Sequence, residues 1–433
     1  MFTKILIANR GEIAIRVIRA CKEMGISTVA VYSQADADSL HAAMADQAIC
    51  SGGAKAEESY LDGGRIISAA LAAGAQAIHP GYGFLAENAA FAGLCKQYGL
   101  VFIGPPAGII SQMGDKDAAR RLMKENGVPV TPGTGILESW EQAQKEAERI
   151  GYPVLIKASA GGGGKGIRRV QSPQEMERAF ETAAREAEKA FGDGRLYLEK
   201  YLRPAKHIEV QILADEQGNT VCLGERECSI QRNNQKLLEE SPSPGVSPEL
   251  REKLMQTAAK AAKAVGYRNA GTVEFLLDQN GEFYFMEMNT RLQVEHAVSE
   301  LVTGIDLVKW QIRIAAGVPL DFSQEDISVT GSAIECRINA LSAGKVDFLH
   351  TPGGPWVRFD TFLYQGYDIP PHYDSLLGKV IVFSSTRDEA IRKMQAALCE
   401  LIIDGPRHNL EEQINIVRDE RFKQGEYDTD FLR

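Results

Sequence analysis

Two strand-like runs, GTVEFLLD and EFYFMEMN, flank Asn280-Gly281, and this reverse turn constrains the chain more than any other feature. Asn-Gly favours a two-residue type I′ turn, because both residues tolerate positive φ. Such a turn pairs Gln279 with Glu282 and, counting outward, sets Glu274 directly opposite Glu287. Carboxylates about 5 Å apart on one sheet face repel by roughly 3–4 kcal/mol at an effective dielectric near 20. A divalent cation turns that repulsion into binding. Magnesium takes one or two carboxylates and completes its shell with phosphate oxygens, so the pair predicts a metal–nucleotide site rather than a closed protein cage. The competing reading is a solvated sheet face.

Followed onward as strand, residues of one parity are Glu287, Asn289, Arg291, Gln293 and Glu295, while Met286, Met288, Leu292 and Val294 take the other. That polar face reads as the floor of a cleft, with Arg291 able to hold a planar anion bidentately and Glu295 a candidate base. His296 then points to the opposite face and is structural. Upstream, PVLIKAS runs into AGGGGKG. Consecutive glycines let backbone N–H groups close over phosphates where any Cβ would obstruct, although the spacing is not that of a P-loop. Lys157 lies in the apolar strand before them, where a lysine is costly to bury without an anionic partner.

The 433 residues leave room for two to four domains. In the first third, apolar runs KILIA and STVAVYS, a helical face of Ile13, Val17, Ala20 and Cys21, a helix-like stretch over 59–73, and the runs AQAIHP and LVFIGP predict βαβ units and a parallel sheet to about residue 105. An amphipathic helix over 115–126 leads to the linker GVPVTPGTG, with a boundary near Thr131. Beyond it, strand-like segments with helices over 248–265 and 305–316 predict an antiparallel core, followed by further strands and a helix over 387–401. The fold class is therefore α/β followed by α+β.

A net charge of −10 disfavours chain-wide attraction to nucleic acid or an anionic membrane. The seven cysteines are scattered without a CxxC pair, which argues against a disulfide framework or a zinc site and makes Cys222 and Cys228 core thiols. No segment approaches the ~20 apolar residues of a membrane span, and the amino terminus lacks a secretory apolar region, so a cytoplasmic setting is expected.

The strings HPGYGFLAEN, MGDKDAARRLM, PVLIKASAGGGGKG, LEKYL, HIEVQILAD, ERECSIQR, EMNTRLQVEH and IECRIN occur in that order, and the chain resembles the biotin carboxylase family of ATP-grasp enzymes from residue 3 to about 430. It looks most similar to the biotin carboxylase subunits of bacterial acetyl-CoA carboxylase, with those serving pyruvate, propionyl-CoA or other acyl-CoA carboxylases nearly as similar. The resemblance implies a Rossmann-like N-terminal biotin carboxylase domain at 1–114, an ATP-grasp domain at 115–329 with a mobile lid about 131–203, and a C-terminal α+β biotin carboxylase domain at 330–433.

The same resemblance implies that Lys116 and Lys157 contact ATP phosphates, that Gly161, Gly162, Gly163 and Gly164 form a lid loop, that Glu199, Lys200 and Leu202 meet the adenine, and that His207 and Gln231 line the pocket. It puts Glu274, Glu287 and Asn289 around Mg²⁺ or Mn²⁺. Arg291, Gln293 and Val294 hold bicarbonate, which Glu295 deprotonates to attack the γ-phosphate and give carboxyphosphate. Lys236 stabilises that intermediate, Arg337 steadies the biotin ureido oxygen, Tyr82 sits near the biotin ring, and released phosphate takes the biotin N–H proton.

Many relatives read RRHQK where this chain reads RNNQK, so Asn234 replaces a histidine near the nucleotide; Ile167 stands for a methionine, Ala297 for a proline, and Ala160 for another small residue. None of these removes a charged group from the mechanism. No Met-Lys-Met biotinylation sequence is present, so a separate biotin carboxyl carrier protein and separate carboxyltransferase subunits are expected as partners, with a homodimer implied by the family. The competing functions are another ATP-grasp ligase joining a carboxylate to an amine, and a nucleotide-binding scaffold without turnover. The final carboxyl acceptor is not legible in these residues.

Overall fold

The computed structural model describes residues 1–160 and 166–432. The apolar run after the amino terminus forms β1 (Lys4–Ile7), the centre of a parallel sheet ordered β3-β2-β1-β4-β5, with β2 (Ser27–Ser33), β3 (Gln47–Gly52), β4 (Ala77–His79) and β5 (Val101–Phe102). The helix Gly11–Glu23 buries the predicted face of Ile13, Val17, Ala20 and Cys21. Strand, crossover helix and parallel strand therefore follow the expected βαβ logic. The helix expected over 59–73 begins later, at Gly63, where the Asp62 carboxylate accepts from the Arg65 amide.

A small antiparallel sheet comes next, ordered β7-β6-β8, from β6 (Val154–Ala158), β7 (Ile167–Val170) and β8 (Leu196–Lys200). Helices Trp140–Ile150 and Met176–Phe191 cover it around Val154, Ile156, Ala183 and Leu198. The remaining chain builds an eight-stranded antiparallel sheet ordered β13-β12-β9-β10-β11-β14-β19-β17. Its strands are β9 (Ala205–Ala214), β10 (Thr220–Arg232), β11 (Gln235–Ser241), β12 (Asn269–Asp278), β13 (Phe283–Asn289), β14 (Ser332–Asn339), β17 (Val357–Thr361) and β19 (Leu376–Ser384). Two short ladders, β15 (Gly344–Lys345) with β18 (Asp368–Ile369) and β16 (Phe348–His350) with β20 (Ile402–Asp404), lie outside it. β11 pairs with β14, so this sheet runs without a break across residues 329 and 330. The helix Pro248–Ala264 packs Leu254, Ala258 and Ala261 into one core with Val210, Ile212, Val273 and Phe275 of the sheet.

The decisive hairpin reaches its predicted pairing by a different route. Glu282 and Asn280 donate their amides to the Asp278 carboxylate at 3.0 and 2.8 Å, and Asp278 donates its own amide to the Glu282 carbonyl at 2.9 Å. The loop is therefore three residues long, 279–281, with Gly281 alone at positive φ (81°), and Gln279 does not pair with Glu282. An aspartate that caps amides two and four residues on competes with the type I′ geometry. Leu277 consequently pairs with Phe283, one step out of the predicted register; a bulge between Glu274 and Phe275 shifts it back, and Glu274 faces Glu287 as expected.

The strand itself stops at Asn289. Residues 290–295 leave the sheet, with the Thr290 amide donating to Glu87 at 3.1 Å and Glu295 forming the N-cap of the helix His296–Thr303. The polar row expected from strand alternation is thus two pieces, a strand end and a loop.

Candidate active site

Four strands bring charged residues into one row. Glu287 of β13 faces Glu274 of β12, which faces Glu209 of β9, which faces Arg226 of β10. Three successive carboxylates in a sheet are untenable without cations. Arg226 is fully buried and donates to Glu209, to Gln211 at 2.7 Å and to Ser299 at 2.9 Å. Lys236, entering from β11, has Nζ 2.7 Å from Glu209, 3.1 Å from Glu274 and 2.6 Å from Glu295. At the other end of the row, Lys116 Nζ lies 3.1 Å from the half-exposed Glu287.

Glu274 is saturated. One oxygen accepts from Asn289 at 2.8 Å, Gln293 at 3.0 Å and Lys236, and the other meets His207 Nε2 at 2.9 Å. Because the Gln231 amide donates to His207 Nδ1 at 2.7 Å, the imidazole proton sits on Nε2 and points at Glu274. Burial alone would raise the Glu274 carboxyl, but Lys236 and His207 hold it well below the ordinary range. Glu274, Glu287 and Asn289 offer only hard oxygen donors of the kind that suits Mg²⁺ or Mn²⁺, so the residues present fit the metal expected of them.

On the small sheet, Lys157 is buried with Nζ 2.6 Å from Glu199. The anionic partner its burial requires is present within the chain itself. Burial would raise Glu199, and Lys157 with Arg120 lowers it below the usual value. The Lys200 side chain donates instead to the carbonyls of Gly151 at 2.7 Å and Tyr152 at 3.2 Å, and Leu202, just past β8, is half-buried. Gly161, Gly162, Gly163 and Gly164 lie outside the described residues. At Gly166, φ is +71° and an added Cβ would stand 2.9 Å from that of Ala158, so the strand return there requires glycine.

The loop 290–295 brings its polar groups to the same charged cluster. Arg291 donates to Glu87 at 2.7 Å, to Gln293 Oε1 at 2.8 Å and to Asn289 at 3.2 Å. Glu295 is fully buried between Lys236 and Arg337, the latter at 2.9 Å. Burial favours its neutral form, yet Lys236, Arg337 and Arg226 hold it ionised, well below the usual carboxylate range. The Val294 carbonyl accepts from Lys379. Tyr82 donates its hydroxyl to Glu12, and Arg337 is near enough to act on its phenol. His296, fully buried, donates Nδ1 to the Gln293 carbonyl at 2.9 Å and is held neutral by burial.

The sequence reading missed Glu87, Glu209, Arg226, Glu239 and Lys379. A signal existed for Glu209, since His207, Glu209 and Gln211 alternate with Ile208, Val210 and Ile212 in a strand too apolar to be a surface. Cys228, expected in the core, is buried there with its thiol pushed well above the ordinary value by burial, and its sulfur lies within 4.8 Å of carboxylate oxygens of Glu209 and Glu295. Asn234 has a structural rationale: Asn233 (φ 53°) and Asn234 (φ 62°) form the exposed two-residue turn between β10 and β11. All seven cysteines are free, and no helix among the described residues is long and apolar enough to cross a membrane.

A parallel-sheet unit, a small antiparallel sheet and a charged antiparallel floor define an ATP-binding class of enzyme, and residues 115–323 match the family described as the ATP-binding domain of the carbamoyl-phosphate synthase L chain. Residues 1–110 match the biotin carboxylase N-terminal domain and residues 335–433 the biotin carboxylase C-terminal domain. The chain is 53% identical to biotin carboxylase 1 of Bacillus subtilis, over 100% of this chain and 98% of that one. Among solved structures it is similar to Campylobacter jejuni biotin carboxylase in complex with β,γ-ATP (TM-score 0.98, 48% identity, 100% of this chain and 98% of that one). It is also similar to the biotin carboxylase domain dimer of Hydrogenobacter thermophilus 2-oxoglutarate carboxylase with MgADP, ADP and bicarbonate (TM-score 0.97, 51% identity, 100% and 97%). The chain belongs to the biotin carboxylase family. It is an ADP-forming ligase that carboxylates biotin in an ATP-dependent reaction.

Proposed function

We propose that this chain carboxylates biotin on a separate carrier protein, with bicarbonate as the carbon source, as the first half-reaction of acetyl-CoA carboxylase. One observation carries the reading: carboxylates of Glu209, Glu274 and Glu295, from two strands and a helix cap, converge on Lys236 beside a loop that also presents Arg291 and Gln293. Phosphoryl transfer needs this arrangement of cations around a developing polyanion and little covalent work by the protein.

In this reading Lys116 and Lys157 bind the ATP phosphates together with Gly161, Gly162, Gly163 and Gly164; Glu199, Lys200 and Leu202 bind the adenine, and His207 and Gln231 the rest of the nucleotide. Lys200 contributes its backbone, because its side chain is tied to the 151 and 152 carbonyls. Glu274, Glu287 and Asn289 hold Mg²⁺ or Mn²⁺, which supplies charge neutralisation at the phosphates. Arg291, Gln293 and Val294 bind bicarbonate and Glu295 takes its proton. The cations that keep Glu295 ionised also make it a weak base, so it gains basicity only when the incoming anion draws Lys236 and Arg337 away from it. Lys236 then stabilises carboxyphosphate, while Arg337 and Tyr82 hold biotin.

The expected result is ADP release that rises with bicarbonate and with added biotin, and labelled bicarbonate recovered in carboxybiotin. ADP release indifferent to both would overturn the reading. The biotin carboxyl carrier protein and carboxyltransferase subunits are the proposed partners, in the cytoplasm and around a homodimer. Similarity to the 2-oxoglutarate carboxylase domain supports a 2-oxo-acid acceptor almost as well as acetyl-CoA. The carboxyltransferase that co-purifies with the native chain decides between them.

A further inference from the structure

Behind the candidate site the sheet carries a second lysine that the catalytic reading does not use. Lys379 of β19 is fully buried, and its ammonium lies 3.8 Å from Glu12 of the first helix and 3.7 Å from Glu335 of β14. Asp360 and Arg358 of β17 and His296 of the loop-following helix complete the charged and titratable groups that act on it or that it acts on. None of the carboxylates hydrogen-bonds to Lys379; its hydrogen bond goes to the main-chain carbonyl of Val294. Both Glu335 oxygens lack a hydrogen-bond partner among the described residues, as does the second oxygen of Glu12, whose first accepts from Tyr82. Burial lowers the Lys379 ammonium and the facing carboxyls more than offset this; burial also raises the Glu12 and Glu335 carboxyls, while Arg358 and Lys379 hold Asp360 below the ordinary value, so Asp360 is the carboxylate that stays ionised beside the lysine.

Val294 is the residue between Gln293, which donates to Glu274, and Glu295, which holds Lys236 and Arg337. We propose that Lys379 is a positioning residue for the bicarbonate loop: its ammonium, held among Glu12, Glu335 and Asp360, clamps the Val294 carbonyl and so fixes the direction in which Gln293 and Glu295 face the anion. Through Glu12 the same lysine is joined to Tyr82, so the biotin side and the bicarbonate side share one buried support. This rests on the proposed role of residues 291–295.

The test is Lys379→Met, read first by hydrogen exchange and then by kinetics. Expected are faster exchange of the 294–298 amides with β12 unchanged, and a bicarbonate KM raised about tenfold or more, as loss of a charge-assisted hydrogen bond implies, with the ATP KM changed less than about twofold. If Lys379→Met does not fold, Lys379→Arg, which keeps the charge but displaces the donor, is expected to raise the bicarbonate KM about threefold or more, again apart from ATP. An unchanged bicarbonate KM in the folded variant, or an equal rise for ATP, overturns the proposal. Should wild-type protein show no bicarbonate-dependent ADP release, the functional reading fails on its own, and unaltered exchange at 294–298 would still separately sink the role of Lys379.

Discussion

Lys236 and Lys379 stand on the same eight-stranded sheet, each among three carboxylates, and they make opposite use of them. Lys236 spreads its donors over Glu209, Glu274 and Glu295 at 2.6–3.1 Å and keeps 13% of its side chain exposed. Lys379 is sealed, keeps Glu12 and Glu335 at 3.7–3.8 Å, and donates to main chain. Interchangeable carboxylate acceptors on an open lysine can be traded for a substrate anion without a net loss of hydrogen bonds. A closed lysine on a backbone carbonyl has no such exchange available, and what it supplies is position. On the proposed roles, similar local charge serves chemistry in one place and geometry in the other, and exposure together with acceptor type separates the two.

The hardest test of that contrast is Lys236→Met. It should lower kcat for bicarbonate-dependent ADP formation by about 10²–10³-fold, the effect of removing one charge-stabilising donor, while nucleotide binding measured by titration persists. A folded Lys236→Met protein with near-normal kcat would erase the distinction. Next in size is the pair proposed to hold the metal. Glu274→Gln, at a buried and saturated carboxylate, should cut activity about 10–100-fold and raise the Mg²⁺ concentration needed for half-activity. Glu287→Gln, half-exposed, should cost about tenfold or less, because water can replace a ligand there. Equal effects, or a Mg²⁺ requirement unmoved in both, would detach this pair from the cation.

How much of this was legible from residue order depends on distance along the chain. The parallel sheet, the helix face of Ile13 and Val17, and the opposition of Glu274 to Glu287 follow from local periodicity and one turn. The opposition came through two departures that cancel, Asp278 enlarging the loop by a residue and a bulge restoring the count, which no periodicity argument contains. Lys157 was recognisable as a buried cation, but its partner Glu199 comes from a strand 42 residues on. Arg226, Glu239 and Lys379 stayed invisible for the same reason: each acquires meaning from a neighbouring strand whose register is set by packing rather than by a turn. The loop 290–295 was misread as strand because alternation persists by chance after Asn289, yet its polar residues still converge, since Glu87 and Lys379 pin the loop from outside.

Glu239 lies on the strand that carries Lys236 and pairs with Glu335 beside Lys379, and it gives the contrast a pH dependence. Burial pushes this carboxyl up to about 7, with Glu295 adding and Arg337 opposing. A carboxyl raised in the native state favours the protonated fold, so its stabilising contribution is present below the ordinary value of about 4.5 and is lost as pH rises toward 7. In Glu239→Gln this loss is absent. The difference in urea midpoint, variant minus wild type, should therefore become more positive from pH 5 to pH 8, and a difference that stays flat would place the proton elsewhere in the cluster.

The smallest expected effect concerns how Lys236 arrives at the site at all. Its strand is launched by Asn233 and Asn234, both in left-handed backbone conformation and both exposed. Asn tolerates that conformation better than residues other than glycine, so Asn234→Ala should cost about 1 kcal/mol of stability by urea titration while Asn234→Gly costs only a few tenths or gains slightly. Because Asn234 is exposed on the turn rather than buried with Lys236 among its carboxylates, kcat should change less than about twofold in both variants. A fall in kcat of tenfold in Asn234→Gly would mean that the amide itself reaches the nucleotide, and that the turn is part of the open lysine's chemistry rather than only its scaffold.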